Sequence, residues 1–316
     1  PEPGDQQGDA RLAALALHAP LNLVQIFDYT PRTPAIRQGA IAGGLAAAAK
    51  ADVSRAYGYI ANHAGLAGAR CIGNIGYLPD IDGVLRHIPV QTRFEGKDYL
   101  HLASALIDCA GRDERSDISA RLPASSSLAN EKGLWRVPFR RSLSAYKVIP
   151  AIAILDESVP QSMLSHRYVL VGSSSLGLGD RVSTPLVPLS AGVMVHAASL
   201  SGLLDIAEGK ALPPWSGRLW LIVWCLLSIT LGVVCIAKLP AWGGLLLLSG
   251  LVSGWLVVAL AGISRQAEWS VTAPLWGYFL LLLIAIPHEW WQTQRRSRRL
   301  LATFSHYVAQ PVLDEI

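Results

Sequence analysis

The chain has 316 residues, 51% of them apolar and only 16% charged, with a formal net charge of +4. That balance is more apolar than a typical water-soluble chain, and it lacks the strong basic charge of a nucleic-acid reader, so nucleic acid is excluded as a partner. The four cysteines, Cys71, Cys109, Cys225 and Cys235, show no CxxC spacing, so neither a zinc site nor a disulfide framework is expected, and a Cys71–Cys109 bridge is not expected in a chain this large.

The chain begins at Pro1 without a signal-type apolar run, and it is expected to be a piece of a longer protein, truncated at both ends. Residues 1–217 read as a globular domain. Within them DARLAALALH (9–18) predicts a short helix, and NLVQIFDY (22–29) predicts a strand ended by a loop at Pro31 and Pro34. The alanine-rich stretch at 35–60 favours helix by composition, but Gly39, Gly43 and Gly44 work against it, and part of it is expected to be irregular. CIGNIGYLPDIDGVLRHIPVQTRF (71–94) shows two β-like runs around Asp82-Gly83, a dipeptide that supplies the positive φ of a tight turn. An antiparallel hairpin is predicted there. YLHLASALIDCA (99–110) has helical periodicity, 121–133 is a loop by composition, YVLVG (168–172) predicts a buried strand, and VMVHAASLSGLL (193–204) predicts a strand passing into a helix. Strands alternating with helices argue for α/β layering.

Candidate chemistry in this part is sparse. GSSSLGLGD (172–180) follows a predicted strand, as phosphate loops do, but neither GxGxxG nor GxxxxGK[ST] is present, and Asp180 would repel phosphate. Asp80, Asp82 and Arg86 surround the predicted turn; the acids suit either acid/base work, a cation, or capping of their own backbone. Arg86, a charged residue on a predicted strand, needs a partner: Arg86 and Asp180 touch either a ligand or only each other. Arg86, Asp82, Asp180 and Arg181 are the candidate ligand-binding residues. His101 and His196 stand apart in apolar surroundings and read as core or surface histidines, and Ser173 to Ser175 do not form GxSxG. The pattern contains no catalytic constellation, and no cofactor or metal is expected.

From residue 218 the composition changes. Runs at 219–237, 241–263 and 271–287 hold no charged residue, and at roughly 17–25 residues each they suit the ~30 Å hydrocarbon core of a bilayer. Trp220, Trp242, Trp269, Trp290 and Trp291 lie at or just beyond their ends, where indoles favour the interface. Gly250-Leu-Val-Ser-Gly254 is a GxxxG match. Arg295, Arg296, Arg298 and Arg299 then set the orientation, because Lys and Arg beside a span stay cytoplasmic. Threading backward, the loop at 264–270 lies outside, Lys238 inside and residues 1–217 outside. In 300–316, Leu301, Phe304 and Val308 share a helical spacing and a fresh apolar face begins at Pro311; this suits a signalling linker or a membrane-surface helix.

LPDIDGVLRHIPV, YVLVGSSSLGLGDRVSTPL and GVMVHAASLSGLLD, followed by apolar spans, resemble the type-2 CHASE domain of bacterial receptors over roughly residues 9–290. The Gly-Leu-Gly-Asp…Thr-Pro-Leu and Gly-Val-x-Val-His-Ala stretches are its most specific parts. The family's first membrane helix and opening strand have no counterpart here, and residues 39–49 match nothing in it. The resemblance implies an α/β extracytoplasmic sensor domain, followed here by a three-helix transmembrane bundle (218–287) and a cytoplasmic linker helix (288–316), without enzymatic activity in this portion. It implies a multi-pass inner-membrane protein that senses a periplasmic stimulus and works across a homodimer. The family's outputs include nucleotide cyclases, histidine kinases, diguanylate cyclases and serine/threonine kinases, and FSHYVAQPVLDEI (304–316) looks most like the linker before a cyclase. The readings of another class are a membrane-anchored α/β enzyme using the 172–180 loop and a membrane-bundle scaffold.

Overall fold

In a computed structural model, which describes residues 4–47, 53–112, 118–173, 181–214, 217–264 and 269–304, the chain divides into two units, Pro1–Pro214 and Trp215–Ile316. The first unit opens with α1 (Gln6–His18), whose start is set by Asp5: its carboxylate accepts from the amides of Gln7 and Gly8. The strand β1 (Asn22–Asp28) follows. Alternation divides its side chains, with Leu23, Gln25 and Phe27 buried and Val24 and Ile26 on the other face.

Among its described residues the alanine-rich stretch forms four short strands and no helix: β2 (Arg37–Gln38), β3 (Leu45–Ala46), β4 (Ser54–Arg55) and β5 (Gly58–Ile60). After these come β6 (Cys71–Asn74), β7 (His87–Pro89), β8 (Gln91–Phe94), β9 (Lys97–Leu100) and α2 (Leu102–Gly111). The single-turn helices α3 (Ile118–Arg121) and α4 (Ser125–Leu128) lead to β10 (Leu134–Arg136) and α5 (Ala151–Leu155). The unit closes with β11 (Arg181–Val182), β12 (Ser190–Ala191) and α6 (Gly192–Ala207). Two four-stranded sheets carry it, in the orders β2-β5-β1-β6 and β3-β9-β8-β4, with the pairs β10-β7 and β11-β12 beside them.

The predicted hairpin at Asp82-Gly83 is corrected. A turn is present, closed by Gly83 N–H donating to Asp80 O at 2.8 Å with Gly83 at φ +76°, but its flanks do not pair with each other. Instead β6 joins β1 in parallel and β7 joins β10. The reason lies in burial: all four residues of CIGN are buried, the pattern of a strand covered on both faces. The tight hairpin is β8–β9, where Phe94 faces Lys97 and the two turn residues, Glu95 and Gly96, both take positive φ, the requirement of a type I′ turn.

Two further expectations fail locally. Residues 168–172 form no strand and pair with none among the described residues; Val171 is 92% exposed. Residues 193–204 are helical throughout, because Gly192, Val195, Ala198, Ser199, Gly202 and Leu203 recur at helical spacing toward the core. Tertiary burial outweighs the β-branched start. That face of α6 meets α2, and both pack with Ile88, Trp135 and Leu85 in the main core. A second core places Ala16 of α1 against Leu23 and Ile72, and a third stacks Phe27 between Phe94 and Tyr99, at ring separations of 5.7 and 4.7 Å. The loop predicted at 121–133 is interrupted by the single turn of α4.

Cys71 of β6 and Cys109 of α2 form a disulfide, against expectation, with Cα atoms 6.0 Å apart. Spacing could not reveal it: a separation of 38 residues becomes contact only because α2 packs on β6.

The second unit comprises α7 (Arg218–Lys238), α8 (Ala241–Ser264) and α9 (Ala273–Phe304). The three pack on one another around Trp255, Tyr278 and Leu281, and Trp224 Nε1–H donates to the Tyr278 hydroxyl at 2.9 Å. Glycine allows the closest approaches: a Cβ on Gly232 would meet Leu281 at 2.8 Å and one on Gly277 would meet Ile229 at 3.0 Å. In the predicted GxxxG, Gly250 faces open space and Gly254 lies against Trp224. Two stretches, Arg218–Cys235 in α7 and Trp242–Gly262 in α8, are long and apolar enough to cross a membrane by length and composition. The third apolar run forms the first half of α9, which continues past Pro287 without a break. The linker beyond residue 304 lies outside the described residues.

The disulfide closes a loop of 38 residues between a core strand and a core helix, so its removal releases chain entropy into the unfolded state. The double substitution Cys71→Ser, Cys109→Ser is expected to lower stability by about 2–5 kcal/mol. Thermal unfolding of the chain in lipid nanodiscs, read by near-ultraviolet circular dichroism, checks this; an unchanged midpoint would show that packing alone orders α2 on β6.

Candidate functional site

The acidic turn holds Arg86 firmly. Its Nη1 donates to Asp80 Oδ2 and Asp82 Oδ1, both at 2.9 Å, and its Nη2 donates to Asp82 Oδ2 at 2.8 Å, a bidentate clamp. Asp80 also meets His87 Nδ1 at 2.9 Å, and Asp82 caps the Val84 amide at 3.1 Å. The hydrogen bonds from Arg86 hold Asp82 down to about 2, helped by the Val84 amide. Burial works to raise Asp80, but Arg86 and His87 together outweigh it and lower the carboxyl. Arg86 itself is raised by Asp82 and then Asp80. Of the other predicted ligand residues, Arg181 donates from Nη1 to Leu189 O at 3.0 Å, and Asp180 lies outside the described residues. The structure thus brings Arg86 and Asp82 together, and Arg181 stands on β11, beside the β12 strand that leads into α6.

The histidines read as isolated are neighbours. His101 follows β9 directly and caps α2, its Nδ1 accepting from the Ala103 amide at 3.3 Å, and its ring lies 5.3 Å from that of His196 on α6. Both are neutral in the fold: burial pushes His101 far down, with repulsion from His196 adding to it, and burial alone pulls His196 down to about 4. His101 Nε2 and His196 Nδ1 are buried without a hydrogen-bond partner. Nothing in the local sequence marks this pair, since 95 residues separate the two positions and only the packing of α6 on α2 joins them.

His196 also lines a cleft of about 620 Å³ in the first unit, a size that suits a small organic molecule. Val24, Ile26 and Ile60 form one wall from the outward face of the first sheet; Leu170, Val171 and Val193 contribute from the loop and from the start of α6. Val171 is thereby explained: the residue predicted to be in a buried strand instead borders this cleft. Where β1 ends, Asp28, Thr30 and Arg32 supply polar groups, with Arg32 Nε 3.2 Å from Asp28 and the Thr30 amide donating to Asp28 at 3.0 Å. The turn clamped by Arg86 is not part of the lining.

Two titrations follow. A carboxyl depressed in the fold contributes stability above its unfolded value and loses it as pH falls; for Asp82 that loss runs from the ordinary 3.8 down to about 2. Arg86→Gln is expected to move the Asp82 carboxyl back up toward 3.8, as read by carbon-detected NMR titration; an unmoved Asp82 would show that backbone amides alone hold it down. The histidines act in a higher window. Because the fold holds them below the ordinary 6.5, the unfolded chain takes up protons first, and stability falls as pH drops from 6.5 toward 4. Unfolding midpoints at pH 7 and pH 5 test this, and equal midpoints would contradict a neutral, buried pair.

The family model of the CHASE2 domain matches residues 2–234. No curated protein and no solved structure matches the chain. The matched residues include both four-stranded sheets, the acidic turn, the histidine pair, the cleft and most of α7. The match covers more than half of the chain, and the chain therefore belongs to the CHASE2 family, sensor domains of signal-transduction receptors that are extracytoplasmic in membrane receptors.

Proposed function

We propose that the chain is the input region of a bacterial transmembrane receptor, with residues 1–217 in the periplasm, three spans at 219–237, 241–263 and 271–287, and residues 288–316 in the cytoplasm. The observation that carries this reading is α9, one unbroken helix that passes from an apolar half through Pro287 to Arg295, Arg296, Arg298 and Arg299. Arginines beside an apolar segment fix the cytoplasmic side, and a continuous helix transmits rotation or translation better than a flexible linker. The apolar stretches of α7 and α8 are only 11% and 17% buried, which supports membrane spans over core helices of a water-soluble fold. The Cys71–Cys109 disulfide supports an oxidising compartment for the first unit.

In this reading a periplasmic stimulus alters the packing of the three helices across a homodimer and repositions the linker that begins at residue 288. The output is a class III nucleotide cyclase, suggested by FSHYVAQPVLDEI; a histidine kinase or diguanylate cyclase would use the same input. The chain's own part is sensing rather than catalysis.

Fusions to bacterial alkaline phosphatase, active only where its disulfides form, test the topology. A fusion after Gly209 is expected to be active and fusions after Lys238 and Ser297 inactive. Activity after Gly209 and Ser297 but not after Lys238 would mean that α9 does not cross, and activity after Lys238 and Ser297 without activity after Gly209 would invert the orientation.

A further inference from the structure

Past its apolar half, α9 carries four arginines, and one of them reaches back toward the apolar half. Arg295 lays its guanidinium over the Trp291 ring, with Cζ 3.5 Å from the ring centroid, one turn nearer the apolar run. A helix imposes that direction, because its side chains lean toward its N-terminus. The third apolar run ends at Pro287; at 1.5 Å per residue Trp291 lies about 6 Å beyond it and the Arg295 backbone about 12 Å. In the topology proposed above, the polar layer over a ~30 Å hydrocarbon core is only about 5–7 Å deep on each side. The backward lean therefore carries the Arg295 guanidinium from the cytoplasmic edge of that layer into it, to the level of the lipid phosphates. Trp290 and Trp291, 68% and 51% exposed, stand at the depth that indoles favour. Trp291, Arg295 and Arg298 form one row along the helix, Arg296 and Arg299 lie to one side of it, and all four arginines are exposed. Against them, residues 288–304 hold a single acid, Glu289, two turns before Arg296. Stacking occupies the face of the Arg295 guanidinium and leaves its planar edge, the part that matches a phosphate, pointing away from the ring.

We infer that this arginine face binds the anionic phospholipids of the cytoplasmic leaflet, with one headgroup phosphate seated between Arg295 and Arg298 and the charges of Arg296 and Arg299 beside it. The inference rests on the proposed topology and names a partner for the segment that this topology places at the membrane surface. A cluster of four basic residues directly cytoplasmic of a span collects acidic lipids, because the leaflet's negative potential attracts each charge near the surface. The bound lipid fixes the depth and rotation of α9 where it enters the linker, so the charge of the leaflet sets the resting position from which a signal moves the helix. A nucleic acid fits this face less well, since it would have to approach an anionic bilayer that repels it. A soluble phosphate would make the same hydrogen bonds, and the experiment separates that source from the lipid.

The test uses the full chain in phosphatidylcholine nanodiscs that carry a trace of spin-labelled phosphatidylglycerol or of spin-labelled phosphatidylcholine. The motionally restricted fraction of the electron spin resonance spectrum reports which lipid the protein holds. At about 0.1 M salt it is expected to favour phosphatidylglycerol about threefold, as an average over the lipids that ring the protein, and to approach parity at about 1 M salt, where the screening length shrinks to about 3 Å. The double substitution Arg295→Gln, Arg298→Gln should remove most of the preference. Arg295→Lys, Arg298→Lys should keep it at about twofold or more, since an ammonium still attracts the phosphate without the fork. Equal restriction of the two lipids by the unmodified chain, or a preference that the glutamine variant retains in full, would overturn the surface. A preference that inorganic phosphate abolishes at constant ionic strength would assign the arginines to a soluble anion and overturn it too. The phosphatase fusions decide the topology separately: an inactive Ser297 fusion without a lipid preference removes this surface and leaves the receptor reading, whereas an active Ser297 fusion removes that reading whatever the lipids do.

Discussion

One buried side-chain amide joins the two sheets of the first unit where their aromatic core also meets. Asn74 is fully buried at the end of β6, and its side chain uses its whole hydrogen-bonding capacity. Oδ1 accepts from the amides of Phe27 at 3.3 Å and Gly76 at 2.7 Å, while Nδ2 donates to the Tyr29 hydroxyl at 2.7 Å and to Thr92 Oγ1 at 2.9 Å. Tyr29 and Thr92 close the triangle at 2.6 Å. Phe27 belongs to the first sheet, Thr92 to the second, and the Asn74 backbone bridges to His101, the cap of α2. Each of these groups would cost roughly 1–3 kcal/mol if left unpaired in the interior, so no neighbouring arrangement of the sheets is comparably favourable. Satisfied networks of this kind specify one packing among many that hydrophobic burial alone would allow.

The histidine pair next to that junction follows the opposite rule. Asn74 leaves no capacity unused, whereas His101 Nε2 and His196 Nδ1 are buried without partners, and both rings are held neutral by their surroundings. The cost of an unpaired buried nitrogen is tolerated only where something else offsets it, and at His101 the cap on Ala103 and the stacking on His196 do so. At His196 the cleft is immediately beside the ring.

Much of this could be read from the sequence, and the failures share a cause. The first helix, β1, α2 and the three apolar runs were legible because each has a strong period or an unbroken composition over many residues. The Asp82-Gly83 turn was also legible, yet its partners were not: a turn dipeptide fixes local φ and says nothing about which strands its flanks will join, and the all-buried CIGN was the overlooked sign of parallel pairing. The residues at 193–204 misled because β-branched composition was weighed over the helical spacing of the small residues. The candidate site divides in the same way. The cluster of Asp80, Asp82 and Arg86 was visible because all three lie in one short segment around a turn, although which acids hold Arg86 was not, whereas the cleft, the histidine pair and the disulfide arise from contacts between distant segments, which leave no trace in local spacing.

The chain leaves the core of the first unit through α6, and that connection constrains the proposed mechanism. The cleft reaches the first turn of α6, whose sixteen residues form a rod of about 24 Å packed along α2. The same helix ends at Ala207, and residues 208–217 lead to the start of α7 at Arg218. A ligand that draws the helix start toward the cleft cannot do so by bending a packed helix; it must shift or tilt α6 as a unit against α2, and the disulfide resists movement of α2 by tying it to β6. Motion imposed at Gly192 would therefore emerge at Ala207 rather than dissipate within the sheets. The bidentate pair between Arg141 and Asp205, at 2.8 and 2.9 Å near that end of the helix, is the contact such a shift would have to strain or re-form. In the proposed mechanism the fixed points are the Asn74 junction and the disulfide, and the moving part is α6, which reaches from the cleft to the end of the first unit's core.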